Sequence, residues 1–238
     1  MSDAEWAQLS ALEPVEPVSS ESYGDDAAQV VDRYGKENGP RVTVLHGGFW
    51  RQAYDRGHLT PFAAALGQQG FSVELVEYRR VGGGGGWPQT AEDVDAALTR
   101  LGGPPKVLLG HSAGGQLALW AAAHRERAAD RVIAVAPVAD MVRAHESGLG
   151  DGAVSDFLGG PEGLAAHLPE ADPMRLLPRV AVEVVHGTAD TDVPIELSRR
   201  YVNNWGARLQ LMSGTGHYTP FIPTRPAFSV LLSMIRRP

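Results

Sequence analysis

The sequence predicts an α/β domain whose mostly parallel sheet is covered by helices on both faces. Three observations carry that expectation. Short apolar, β-branched runs alternate along the chain with stretches of helical periodicity. The runs are nearly continuous in Val, Ile and Leu, as strands buried on both faces require. One of them, "KVLLGHS" (106–112), passes through glycines straight into the alanine-rich "GQLALWAAAHRERAA" (115–129). The number of runs suits a sheet of about eight strands, and 43% hydrophobic residues in 238 supply a large core.

Taken in order, residues 1–20 are acidic, lack the basic and apolar regions of a signal peptide, and read as an N-terminal extension. The remainder, 21–238, reads as one domain without internal repeats or long linkers. "ESYGDDAAQVVDRYG" (21–35) supplies one or two antiparallel edge strands. "RVTVLHGG" (41–48) is a strand, and "LTPFAAALGQQG" (59–70) a helix stopped by Gly70. "FSVELVEYRR" (71–80) is the next strand. Five glycines (82–86) then precede a helix in "TAEDVDAALTRLGG", with Thr90 as N-cap and Asp93 at the third helical position. Strands follow at 106–112, 131–140, 180–187 and 208–214, with helices at 115–129, 195–206 and 226–237. Residues 141–178 are less regular. They form a short lid-like insertion with room for one or two small helices, leaving a fairly open pocket.

Composition excludes several function classes. Lys and Arg number 21 against 28 Asp and Glu, giving a net charge of −7 with no basic cluster. Nucleic acid, whose binding needs cations to displace counterions, is not an expected partner. The chain has no cysteine, so disulfides, Cys-ligated zinc and thiolate catalysis are out. No apolar run approaches the ~18 residues of a membrane span. A cytoplasmic protein acting on a small-molecule substrate is expected, with no membrane partner, cofactor or metal; monomer and homodimer both remain open.

The glycines around Ser112 point to chemistry. In a parallel sheet, ligands collect at the carboxyl ends of the strands. There Ser112, flanked by Gly110 and Gly114, fits G-x-S-x-G, a strained strand-to-helix turn that pushes a serine oxygen above the sheet. The competing reading is a plain helix N-terminus with serine as a cap. A serine hydroxyl needs a histidine base, and the base needs an orienting carboxylate. Of the histidines beyond residue 112, His124 sits on a charged helix face, His145 and His167 fall in the irregular segment, and His186 ends a strand, where it would shape the acid loop. His217, in the glycine-bounded "GTGHY" loop after the last strand, is the preferred base. Asp190 in "HGTADTDVP" is the preferred acid, with Asp192 and Asp140 as alternatives. For the oxyanion, the Ala113 N–H at the helix start and the backbone of Gly48 and Phe49 in "LHGGFW" are the expected donors, while His46 holds that loop.

In this order, "HGGFW", "GHSAGG", "HGTADTDVP" and "GTGHY" resemble the α/β-hydrolase superfamily, and within it the small carboxylesterase and arylformamidase (kynurenine formamidase-like) branch. The "EYRR…GGWPQTAEDVDAAL" stretch is similar to the same branch. The resemblance runs from about residue 22 to the end, and it implies the α/β-hydrolase fold. It also implies Ser112 as nucleophile, Asp190 as acid, His217 as base, and Gly48, Phe49 and Ala113 as oxyanion donors. Two departures stand out: Phe49 replaces the tyrosine of many arylformamidases, and "YRRVGGGGGWP" replaces "YRLAP". The glycine run fits no phosphate-binding spacing and reads as a mobile loop. Trp50, Trp87, Met141, Phe157 and Tyr218 are candidate pocket walls. The expected activity is hydrolysis of a small or medium carboxylic ester through an acyl-enzyme. Arylformamidase is the alternative, with acyl transfer and a non-catalytic binding protein behind it.

Overall fold

The alternation of strand side chains divides the interior into two cores. A computed structural model describes residues 3–237, and its sheet strands run β1 (Ser19–Ser22), β2 (Val30–Gly35), β3 (Arg41–Leu45), β4 (Ser72–Val76), β5 (Val107–His111), β6 (Arg131–Val135), β7 (Ala181–Gly187) and β8 (Arg208–Met212). Val42, Val44, Val107, Leu109, Ile133 and Val135 face one side. Leu45, Leu108, Val132, Ala134 and Val184 face the other. This is the period of two that a strand imposes, with both faces apolar because both are covered.

Helices α2 (Thr60–Gln68) and α9 (Pro226–Arg236) cover the first face. The second is covered by α3 (Gln89–Arg100), α4 (Ala113–His124) and α8 (Ile195–Trp205). Helix α4 is apolar all round because it is buried almost throughout. Strand order is β1-β2-β4-β3-β5-β6-β7-β8. β2 pairs antiparallel with β1 and β4, and every pairing from β4 to β8 is parallel. One or two antiparallel edge strands are expected before residue 41, and two are present. Register sets Leu45 beside Gly110, and Gly110 beside Ala134, so the loops after β3, β5 and β6 leave along one rim.

Two local expectations are corrected. The insertion holds three short helices rather than one or two: α5 (Met141–Glu146), α6 (Leu149–Leu158) and α7 (Gly160–Ala171). Gly150, Asp151 and Gly152 adopt left-handed backbone where α6 begins, turning the chain without a long loop. Thr90 does not cap α3, which starts at Gln89. Its hydroxyl instead donates to the Arg79 carbonyl (2.7 Å) and accepts from the Gly86 N–H (3.0 Å), a tertiary tie that outweighs the local capping preference. The glycine run is a hydrogen-bonded turn, with the Gly83 and Gly85 amides both donating to the Arg80 carbonyl. A Cβ on Gly85 would run into the Arg79 backbone.

The first described residues are also built into the fold. Helix α1 (Asp3–Ser10) inserts Leu9 into the same core as α2 and α9. Among the described residues no helix is long and apolar enough to cross a membrane.

Candidate active site

The turn after β5 is tight enough to exclude side chains. Ser112 adopts φ 55°, ψ −116°, a conformation that costs a non-glycine residue about 1–3 kcal/mol. Its N–H donates to the Val135 carbonyl (3.0 Å), and its own carbonyl accepts from Gln116 and Val138 (3.1 and 3.2 Å). A Cβ on Gly110 would run into the Gly114 carbonyl, and one on Gly114 would meet the Leu45 and His46 carbonyls. The two glycines therefore allow β5, α4 and the loop after β3 to touch. Helix α4 begins at Ala113, so its first amides have no intrahelical acceptor and point past the serine.

Asp190 and His217 come from two other loops on this rim. His217 Nδ1 donates to Asp190 Oδ2 at 2.7 Å, leaving Nε2 as the edge available to a substrate or nucleophile. Asp190 Oδ1 accepts from the Asp192 and Val193 amides (2.8 and 2.9 Å). His186 Nε2 lies 3.0 Å from the Val193 carbonyl and 3.3 Å from Asp190 Oδ2. Both are acceptors, so that nitrogen carries the proton, while Nδ1 pairs with the Ser198 hydroxyl (2.7 Å). Burial opposes ionisation of Asp190, but the contacts with His186 and His217 and the Val193 amide outweigh it. The carboxyl is held well below its ordinary range.

His111, the residue before Ser112, packs against His217. The His111 and His217 rings are 4.5 Å apart between centroids, and His111 Nε2 donates to the His217 carbonyl at 3.1 Å. His111 Nδ1 is buried without a partner. Burial, with His217 and His58 nearby, pushes its pKa well below the usual histidine value, so it stays neutral. Ser112 and His217 are 2% and 1% exposed.

The loop after β3 is the most contorted part of the rim. Gly48, Phe49 and Trp50 all have positive φ, at 118°, 54° and 56°. His46 anchors the loop through Glu77 (Nε2 to Oε1, 2.9 Å) and stacks on Tyr78 at 4.3 Å, whose hydroxyl donates to the His46 carbonyl at 2.6 Å. Burial resists a charge on Glu77, but His46 and Arg80 together keep it ionised, well below the ordinary carboxylate range. The Phe49 N–H makes no bond within the described protein.

The remaining candidates are placed as follows. Trp50, Met141 and Phe157 are 1%, 0% and 0% exposed and belong to the core, Trp50 stacking on Phe157 at 4.5 Å. Trp87 packs edge-on against Trp120. Tyr218 is buried beside His217, and its hydroxyl is held un-ionised by burial and the nearby Asp192. A cavity of about 410 Å³ beside the rim is walled instead by Phe49, Arg51, Tyr54, Leu149, Thr191 and Asp192. A larger concavity, about 510 Å³, opens around Arg33, Arg41 and Glu74 at the far end of the strands, away from this rim. Asp140 caps α5 and pairs with Arg200 (2.6 Å). His124 and His145 are exposed and His167 is partly exposed. No group of three or more His, Asp or Glu side chains among the described residues is arranged to hold a metal ion.

Sequence reasoning missed Gln116 and Arg51. Gln116 Oε1 accepts from Trp50 Nε1 (3.2 Å) while its Nε2 donates to the Ala171 carbonyl (2.8 Å), joining the contorted loop to the insertion. Its signal was a lone amide in an otherwise apolar helix. Arg51 reaches the Asp151 carbonyl (3.1 Å) and Asp156 (3.0 Å) and left no such mark.

A mostly parallel sheet covered on both faces, with a strained serine turn at its carboxyl rim, defines the hydrolase class of α/β folds. The model of the alpha/beta hydrolase fold family matches residues 40–165, and the chain belongs to that family. Among solved structures it is similar to esterase B from Lactobacillus rhamnosis, at 20% identity and TM-score 0.78, with 99% of this chain and 89% of that one covered. It is likewise similar to a candidate thioesterase from Silicibacter sp. (19%, TM-score 0.76, 99% and 92% covered). A carbohydrate esterase from gut microbiota, in truncated form, gives 19%, TM-score 0.75 and coverage of 94% and 98%. A search of curated proteins found no sequence match.

Proposed function

We propose that the protein is a serine hydrolase that cleaves small or medium carboxylic esters through an acyl-enzyme. The observation that carries this reading is the 2.7 Å Asp190–His217 hydrogen bond on the same rim as the strained Ser112. In this mechanism His217 Nε2 takes the Ser112 proton as Oγ attacks the ester carbonyl. The oxyanion is received by the Phe49 and Ala113 amides, with Gly48 shaping the approach and offering a third donor. Each such donor typically contributes about 2.7–4 kcal/mol to the transition state. The tetrahedral intermediate collapses, and the imidazolium returns its proton to the departing alkoxide. Water then repeats the sequence on the acyl-enzyme. Asp190 keeps Nδ1 protonated and stays anionic throughout.

The esterase structures share this fold, and one holds a tributyrin phosphonate; the family resemblance extends to arylformamidases, whose formamide would follow the same steps. The cavity beside Phe49 is suited to a small substrate. Ser112→Ala is expected to abolish p-nitrophenyl acetate hydrolysis while leaving the circular dichroism spectrum unchanged; retained turnover would overturn the assignment. Measuring kcat/KM on N-formylkynurenine beside short-chain esters separates the two substrates, and a large formamide preference would replace ester with aryl formamide.

A further inference from the structure

Helix α1 delivers a carboxylate to the loop that carries His217. Glu5 Oε2 accepts from the Tyr218 N–H (3.1 Å), and Oε1 accepts from the Thr219 hydroxyl (2.8 Å). A Cβ on Gly216 would run into the same carboxylate, so glycine at 216 is what lets Glu5 approach. Trp6, the next residue, packs edge-on against Tyr54 (5.6 Å) and Tyr218 (5.3 Å). Tyr54 lines the cavity beside the rim. Residues on both sides of His217 are therefore bonded to, or shaped around, one side chain from the far end of the chain. The Asp190 bond fixes the ring's Nδ1 edge, and His111 fixes the His217 carbonyl. Helix α1 holds the Tyr218 amide and the Thr219 hydroxyl, while Asp192 meets the Tyr218 hydroxyl.

We infer that Glu5 is a positioning residue for the base: it clamps residues 216–219, and through them sets where His217 Nε2 lies over Ser112. The extension thus acts as part of the active site. This inference rests on the serine-hydrolase reading for its kinetic consequence, though not for the clamp itself. A lost clamp misplaces the base without removing a substrate contact. Glu5→Ala is accordingly expected to lower kcat about 10-fold with KM within about twofold, since small displacements of a catalytic group are costly. Glu5→Gln, which keeps one acceptor oxygen, falls between Ala and the parent. Thr219→Val lowers kcat less, and Glu5→Ala/Thr219→Val is no worse than Glu5→Ala alone, because both break one interaction. Gln8→Ala, which removes only the α1 contact with Arg225, keeps the parental kcat.

Amide hydrogen exchange on the full-length variants reads the clamp without any substrate. Exchange across 216–219 is expected to rise about 10-fold in Glu5→Ala, with β5 and α4 unchanged. Unchanged exchange overturns the clamp. Faster exchange with parental kcat, in a parent whose turnover Ser112→Ala abolishes, overturns the positioning role. A parent inert toward every ester and formamide instead removes the hydrolase reading, leaving exchange to decide the clamp.

Discussion

Asp190 uses each of its oxygens for a different task. Oδ1 is tied to the backbone of its own loop through Asp192 and Val193, and Oδ2 faces His217 with His186 behind it. The charge is thereby fixed where an imidazolium would form. Asp190→Asn would offer an amide where an acceptor is needed and favour the wrong tautomer. A fall in kcat of about 10³–10⁴-fold on an ester substrate is expected. His186→Leu keeps the acid but removes its second partner, so a smaller loss, about 10-fold with KM unchanged, is expected in the same assay. Equal activity of Asp190→Asn and the parent would exclude Asp190 as the orienting acid. At Ser112 the residue-scale feature is backbone strain, tolerated because Val135, Val138 and Gln116 hold the peptide on both sides.

At the scale of elements, the rim depends on how closely three of them approach. β5 and α4 meet through Gly110 and Gly114, and the end of β3 rests against Gly114. Gly114→Ala would force a methyl into the Leu45 and His46 carbonyls and push the Phe49 amide away from the serine. A stability loss of about 3 kcal/mol, read from urea denaturation, is expected, with reduced kcat in whatever fraction folds. A variant as stable and active as the parent would show that the turn relaxes freely. The insertion is joined to this rim in three places. Arg51 reaches α6, Gln116 reaches the end of α7, and the Trp87 amide donates to the Phe157 carbonyl at 2.8 Å. Helices α6 and α7 are therefore braced against the rim, although most of α7 is not buried.

Across the whole molecule, buried titratable groups make stability depend on pH. His58 is lowered to about 4, chiefly by burial and by His46 nearby, and His111 also lies well below the ordinary value of 6.5. Between about 4 and 6.5 the unfolded chain binds protons that these native histidines refuse. Stability therefore rises with pH in that window and is lost on acidification through it. Asp190 and Glu77 act lower down: their native pKa values are depressed, so their contribution is present above the usual carboxylate range and is lost as pH falls through the native values. The urea midpoint is expected to drop steadily from pH 7 to pH 5, and His58→Gln should flatten that slope. An identical slope in the variant would assign the acid sensitivity elsewhere.

Much of this architecture is written locally. Alternating apolar runs, buried on both faces, dictate strands in a covered parallel sheet, because no other arrangement hides them. The spacing of Gly110, Ser112 and Gly114 dictates a turn too tight for side chains, whatever surrounds it. Other features depend on partners remote in sequence. Thr90 has the chemistry of a cap but bonds to Arg79 in the loop after β4, and Trp50, Met141 and Phe157 are apolar enough for a pocket but pack together in the core. Residues 1–20 carry no local pattern that joins them to the site. Glu5 meets Tyr218 across 213 positions because helix α1 folds back onto the rim. A carboxylate's role follows from the groups facing it, and those are chosen only when the chain closes on itself.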